Sequence, residues 1–582
     1  MPEPDASEIT VLQVLEKLDG DFKSFSDGFL KGEYSFWIGS GISRSAPDLG
    51  RLLKRGIEFL RVASQGEDWV GKFSSAFEEV MQIANYDEGE WRGLVCHEFE
   101  SWPECDKIIE SLWDKYSLVL DVRLEDEEDD YILWNAIDIR AAFQPPPPPA
   151  PEHLCIAALI LEGVVTELAS ANWDTFIEQA LASLSDGKGG ILQVVVEPEQ
   201  LRSPPGKAKL LKFHGCVKHA SEDPATFRKY LTGSTTQING WPTSNTFSAV
   251  RHEFQGIASR KKTLGMGLSL QDHNLHQIIL EAKKIHSWPW PCDPNAPAYI
   301  FCENKLSQGQ GTALKEAYSE SYNAHVSQIK KSAHMKAWPE QVLVALLIQV
   351  VFEKLKATLP GWLKEQVKED LKDDLLAALE SSKKMVAGSV GVDRVAFVTK
   401  ALQAWPRVLS IFKYGQLPRT ECSYQTISST PIPSTADDES VKLAEIGKLA
   451  CCLGLLQHGH NRGRWHLQPL QGSELEAGAF RVKGAWDGAS ARPIFIVKTV
   501  TEALKLAREG AFEGSDAIVL HGDDLWPMVG GETPSNARSP RSAPGRSAKP
   551  TARAHHVSLT SLLKDGGDLQ SLQERLGSEV AI

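Results

Sequence analysis

An apolar run from Tyr34 to Ile38 stops at Gly39-Ser40-Gly41-Ile42-Ser43. It gives way to a helical pattern in which Leu49, Leu52, Leu53, Ile57 and Leu60 share one face. A strand that turns tightly into a helix is the repeating unit of parallel α/β sheets. Such a turn aims backbone N–H groups and the positive end of a helix at one place, where a phosphate is held. Gly39 and Gly41 flank the turn, where a side chain would obstruct that approach. Two later stretches also follow apolar runs directly: Ser170-Ala171-Asn172-Trp173-Asp174 and Lys212-Phe213-His214-Gly215.

The rest of the first half repeats the alternation. Strands are predicted at Val164 to Ala169, Ile191 to Val196, Lys209 to Phe213, Thr263 to Leu268 and Ala298 to Cys302. Helices are predicted over 8–30, 153–162, 175–184 and 274–287. With Tyr34 to Ile38 this makes about six short strands, which predicts an α/β fold with a doubly wound, mostly parallel, Rossmann-like sheet. Residues 64–150 read as a mostly helical insertion, closed by the stiff run Pro145 to Pro149, an internal spacer. The acidic run Glu125 to Asp130 reads as a solvated loop.

On this reading residues 1–305 form one domain and 306–430 a helical extension with a stripe of Leu343, Leu346, Leu347, Val351 and Leu355. Residues 431–530 form a small α/β domain, 531–556 a flexible Ser/Pro/Arg-rich linker, and 557–582 a C-terminal helix.

A net charge of -14 over 582 residues argues against nucleic acid or an anionic membrane as a direct partner. The nine cysteines contain no C-x-x-C pair, which fits reduced thiols in a cytoplasmic protein. The first residues show no basic and apolar signal-peptide pattern, and the longest apolar run, Val342 to Phe352, is too short to span a bilayer. His458, His460 and His466 with Cys451 and Cys452 fit no standard zinc spacing, so no metal is expected. Lys498 lacks the acidic residue two positions earlier that a nuclease site needs, and His521-Gly522-Asp523-Asp524 reads as a loop.

Each motif has a plain structural alternative. A G-x-G is often only a βα turn, Asp174 is placed to cap the following helix, and a lone histidine is usually packing. Asn172 is not explained by that cap. At one sheet edge with a glycine turn and an Asn-x-Asp, His214 becomes a natural base. The turn lacks the third glycine of the dinucleotide fingerprint, which disfavours a nicotinamide dehydrogenase.

Taken in order, the motifs resemble the sirtuin-type (silent information regulator) NAD-consuming family. The resemblance runs through Gly39-Ser-Gly-Ile-Ser43, Ala46-Pro47-Asp48-Leu49, Asn172-Trp173-Asp174, Lys212-Phe213-His214-Gly215 and Gly267-Leu268-Ser269. The wording Ser-Ala-Asn-Trp-Asp-Thr-Phe-Ile-Glu and Gly-Leu-Ser-Leu-Gln-Asp-His-Asn is similar to the bacterial NADase branch found in antiphage defence. The family's zinc ribbon of two C-x-x-C pairs is absent, and its Gln within Thr-Gln-Asn is Ala171 here. Both departures disfavour an acyl-lysine substrate.

The resemblance implies NAD as a substrate. Gly39, Ser40, Gly41, Ile42 and Ser43 would hold the diphosphate, Asp48 would be a further NAD-binding position, and Asn172 and Asp174 would frame the nicotinamide ribose and carboxamide. His214, beside Gly215, would work near the ribose hydroxyls, and Gly267, Ser269, Asp272 and Asn274 would line the adenosine side. The expected activity is an NAD glycohydrolase that depletes NAD during phage infection, with Asn172, His214 and Asp174 catalytic. A homo-oligomer is expected, with a phage-derived trigger or a second defence protein as partner and no membrane partner. The alternatives are an NAD-dependent deacylase or ADP-ribosyl transferase, and a non-catalytic NAD or nucleotide sensor.

Overall fold

The computed structural model describes residues 5–43, 48–290, 296–363, 369–417, 424–468, 480–512, 516–522, 554–564 and 568–580. Ala46-Pro47 of the sirtuin-like segment and the Arg-rich stretch through residue 553 lie outside them.

Seven strands form one all-parallel sheet: β1 (Tyr34–Ile38), β2 (Glu167–Ser170), β3 (Leu192–Val195), β4 (Ala208–Lys212), β5 (Lys262–Met266), β6 (Tyr299–Cys302) and β7 (His334–Met335). Their order is β3-β4-β2-β1-β5-β6-β7. Every strand from the sequence reading is present within a few residues. The two-residue β7 was not foreseen, because so short an edge strand carries no periodicity.

In β1, β2, β4, β5 and β6 the apolar side chains alternate between two buried faces. Phe36, Ile38, Leu168, Leu210, Leu264, Met266, Ile300 and Cys302 share one core with the N-terminal helices and helix Pro151–Leu161. Trp37, Ala169, Leu211, Tyr299 and Phe301 enter the opposite core with helices Ser248–Arg260 and His273–Ile285. Burial on both faces is what makes these strands read as continuous apolar runs. The predicted helix over 8–30 is two helices, Val11–Asp19 and Lys23–Leu30, because Gly20 ends the first by donating its N–H to Lys17.

The insertion is helical, as read, but it is not a separate lobe. Its core of Phe77, Trp91, Trp102, Leu112 and Trp134 continues into Val217 and Leu231 of the sheet domain, with Trp173 packed against it. The acidic run is an exposed loop, as its composition suggests, although three of its carboxylates find cationic partners. Glu127 pairs with Lys72 at 2.5 Å, Asp129 with Arg123 at 3.3 Å, and Asp130 pairs with Arg228 across the junction.

Helix Pro339–Leu363 runs from the first core, through Val342, Leu343 and Leu346, into a second, through Leu355 and Leu359. The second core belongs to a five-stranded mixed sheet of β8 (Trp465–Gln468), β9 (Phe480–Gly484), β10 (Ala491–Ile496), β11 (Ile518–His521) and β12 (His555–Ser558), ordered β12-β11-β10-β9-β8. The strand-helix-strand unit read from sequence is the parallel pair β10 and β11 with helix Val500–Arg508. The antiparallel β8 and β9 were missed. His555 and His556, read as the end of the linker, instead pair with Ile518 and Val519 in β12. That pairing is a tertiary event that a segment with one apolar side chain, Val557, does not announce.

Cys451 and Cys452 lie in the apolar core of helix Ile446–Asn461. No helix among the described residues is long and apolar enough to cross a membrane.

Candidate functional site

The chain leaves β1 on one side toward β2, β4 and β3, and returns past β1 to β5 on the other. Doubly wound sheets bind ligands at that reversal, at the carboxyl ends of the strands. The loops after β1, β2, β4 and β5 meet there, and they contain Gly39–Ser43, Asn172–Asp174, His214–Gly215 and Gly267–Asn274.

The glycines are needed first by packing. The loop after β1 is laced to the loop after β5: Gly39 N–H donates to Met266 O (3.0 Å) and Gly41 N–H to Gly267 O (3.1 Å). A Cβ on Gly41 would stand 2.6 Å from Gly267 Cα, and one on Gly39 would collide with the Gly267 carbonyl. Gly267 itself has φ of +60°, and Gly215 has φ of +88° with its Cβ direction blocked by Tyr230 and Leu231. The expected cradle of free N–H groups is therefore mostly closed. Ser43 N–H also turns inward, to Ser40 O (2.9 Å), whereas the Ser40 N–H has no partner among the described residues. Ile42 buries its side chain in the core, and Ser40 is exposed.

Asp48 caps helix Leu49–Gly66 by accepting the N–H of Arg51 at 2.7 Å. Asp174 accepts the N–H of Phe176 at 3.1 Å, which is the capping role its position allowed. The buried ammonium of Lys212 holds the Asp174 carbonyl and lies 3.1 Å from Glu178. Burial opposes the Lys212 charge, but Glu178 and the neighbouring Cys216 and Asp174 outweigh it and raise the group above the ordinary lysine value.

Asn172 does more. Its amide nitrogen donates to Gly39 O and to Ser43 Oγ, both at 3.1 Å. The Gly39 carbonyl can only accept, so the orientation of the amide is settled and its Oδ1 is left as an acceptor with no partner among the described residues. Ser43 Oγ also lies 3.1 Å from Nε2 of His153, a buried residue at the start of helix Pro151–Leu161.

His214 Nε2 stands 2.9 Å from Asp272 Oδ2, but neither atom meets hydrogen-bond geometry. The contact is an electrostatic one between two buried atoms. Burial pushes the Asp272 carboxyl up, while the His214 side chain and the Asn274 N–H pull it down further, so it is held below the usual carboxylate value. Asp272, expected on the adenosine side, thus stands beside His214. Asn274 is buried and donates to Ile238 O at 2.9 Å, which pins a loop. Ser269 is exposed, and its carbonyl accepts Ser307 Oγ at 2.5 Å.

The insertion roofs this site. Ser117 and Thr235 are joined at 3.1 Å and Asp121 and Thr236 at 2.7 Å, while burial and the Asp272 charge push the Tyr116 phenol up. His153 and Tyr116 were both missed from sequence. His153 carried one signal: a histidine in the first turn of a helix opened by Pro151, where a side-chain acceptor meets a free backbone N–H.

Residues 166–326 match the family model of the SIR2-like domain. The chain therefore carries a sirtuin-like domain on a Rossmann-like sheet, the class that uses NAD. No curated protein matches the chain.

Proposed function

We propose that this protein is an NAD glycohydrolase that releases nicotinamide and ADP-ribose. The observation that supports the reading is the placement of the Asn172–Ser43 contact and of the His214–Asp272 pair on loops at the carboxyl ends of neighbouring strands, with Asn172, His214 and Asp272 inside the stretch that matches the SIR2-like domain.

The chemistry asks little of an acid. As the bond between ribose C1′ and the nicotinamide nitrogen breaks, its electron pair neutralises the pyridinium charge, and nicotinamide leaves as a neutral base. An oxocarbenium-like sugar remains, which nearby acceptor oxygens favour. Asn172 Oδ1 can accept from a ribose hydroxyl or from the attacking water. When that water bonds to C1′, its proton passes to His214, and the Asp272 carboxylate stabilises the imidazolium. The balance is NAD⁺ and water giving nicotinamide, ADP-ribose and a proton. Asp174 acts here as a helix cap that sets the Asn172 loop. The Ser40 N–H and hydroxyl are the donors proposed for the diphosphate.

The insertion packs against Trp173 beside Asn172 and brings Tyr116 near Asp272, an arrangement that would restrict a bulky protein substrate. With the missing C-x-x-C pairs this favours hydrolysis over deacylation. The similarity of the Asn172 and Gly267 segments to the antiphage branch supports a role in depleting NAD during phage infection, with the second sheet domain as the candidate for receiving the trigger. The test is nicotinamide release from NAD by purified protein, with and without extract of infected cells, beside a measurement of NAD binding. Asn172→Ala and His214→Ala should abolish release. Binding without release under every condition would replace hydrolysis with sensing.

A further inference from the structure

Three side chains cross the floor of the site, and the backbone groups at the two ends allow only one arrangement of their protons. At one end the Ala150 N–H donates to His153 Nδ1 at 3.0 Å, so that nitrogen carries no proton. Burial depresses the imidazole to about 4, against a smaller opposing effect of the Asp174 charge, and the ring is neutral at pH 7. Its one proton is then on Nε2, which donates to Ser43 Oγ at 3.1 Å. At the other end the Gly39 carbonyl dictates the Asn172 orientation, so Asn172 Nδ2 also donates to Ser43 Oγ, at 3.1 Å.

A serine hydroxyl has two lone pairs and one proton. Both lone pairs of Ser43 are occupied, so its proton has to leave in the remaining direction. His153 cannot reach a substrate itself, because it is 1% exposed and packed against Phe176 with ring centroids 5.1 Å apart. We propose that His153 is a positioning residue whose Nε2–H, together with Asn172, makes the Ser43 hydroxyl an obligatory donor to an acceptor oxygen on the nicotinamide-riboside half of the substrate. The choice of substrate rests on the NAD reading above; the proton arrangement does not. Asn172 and Ser43 then present complementary groups side by side, an acceptor and a donor, which suits a ribose hydroxyl that must both give and receive a bond. Such orientation before the reaction contributes to rate by sparing reorganisation in the transition state.

The proton arrangement is read directly by ¹⁵N NMR of the imidazole rings. His153 should be the neutral Nε2–H tautomer at pH 7; an Nδ1–H tautomer or an imidazolium overturns the relay, whatever the substrate is. Its consequence is read by a double-mutant cycle on nicotinamide release. His153→Phe keeps the ring volume and should lower kcat about tenfold in the Ser43 protein, the loss expected for one orienting hydrogen bond. It should cost nothing further in Ser43→Ala. His153→Gln, whose amide N–H reaches the Nε2 position, should recover most of the rate. Equal losses in both backgrounds, tracking a loss of thermal stability, would mean that His153 only supports the fold and would overturn the proposal. Wild-type protein that neither binds nor cleaves NAD would refute the NAD reading and the substrate half of the proposal, while the tautomer still decides the relay.

Discussion

Gly41→Ala separates two reasons for the glycines of the first loop. If they exist to let a diphosphate approach, an added methyl should weaken NAD binding and leave the free protein intact. The structure places the obstacle inside the protein. The new Cβ would lie 2.6 Å from Gly267 Cα, where ordinary contact begins near 3.4 Å, so one loop must retreat by about 0.8 Å. Both sides are backbone, so no side chain can swing aside. The retreat stretches the Gly41 N–H to Gly267 O bond beyond hydrogen-bonding distance and loosens its neighbour from Gly39 to Met266. Overpacking of this kind costs about 1–3 kcal/mol, and each weakened bond about 1 kcal/mol. A net destabilisation of about 2–4 kcal/mol follows, which in a domain of about 300 residues lowers the melting transition by about 3–6 °C. The assay is thermal unfolding without ligand, followed through the transition of the sheet domain, beside NAD affinity. An unchanged transition with weakened NAD binding would refute the packing argument and return these glycines to the ligand.

Acid sensitivity should carry a signature of His153. Its folded value is depressed to about 4, so between about pH 6.5 and 4 the unfolded chain takes up a proton that the folded chain refuses. Stability should therefore fall as pH drops through that window, by about 3 kcal/mol in full, and His153→Phe should flatten this part of a urea-midpoint profile. Asp272→Asn keeps a cap for the Asn274 N–H but removes the charge beside His214; nicotinamide release should drop about ten- to a hundredfold with little change in melting. A matching loss of stability would sink the proposed role for the carboxylate. Lys354→Met leaves Glu162 buried without its 2.8 Å ion-pair partner, and chemical denaturation should show a loss of about 3–5 kcal/mol. The added Glu162→Gln should recover most of it, and a neutral single variant would contradict the pairing.

The sheet was legible because burial on both faces forces each strand to be apolar, and because helices of ordinary length separate most of them. The edges were not. β7, β8, β9 and β12 are specified by the neighbour they pair with, and two polar histidines can join a sheet if a parallel partner offers the hydrogen bonds. Helix breaks at Gly20 and Ser319 depended on backbone angles that periodicity does not report.

At the site, residue types and their order were enough to single out Gly39–Ser43, Asn172, His214 and Gly267, since each follows an apolar strand directly. What each one does depended on partners that are distant in sequence, as Gly39 and Ser43 are from Asn172. Asp48 and Asp174 cap helices, Asp272 stands beside His214, and Trp173, between Asn172 and Asp174, is part of the roof.

Apolar periodicity and residue order along the chain suffice for the class of sheet and the loops that end at its carboxyl edge, and the resemblance of the motifs in those loops pointed to the sirtuin-like domain. The proton arrangement among His153, Ser43 and Asn172 comes from the folded molecule alone. Hydrogen-bond direction is set by which backbone donors and acceptors stand at the two ends. Those ends, Ala150 and Gly39, are far apart in sequence and meet only when helix Pro151–Leu161 packs against the loop after β1.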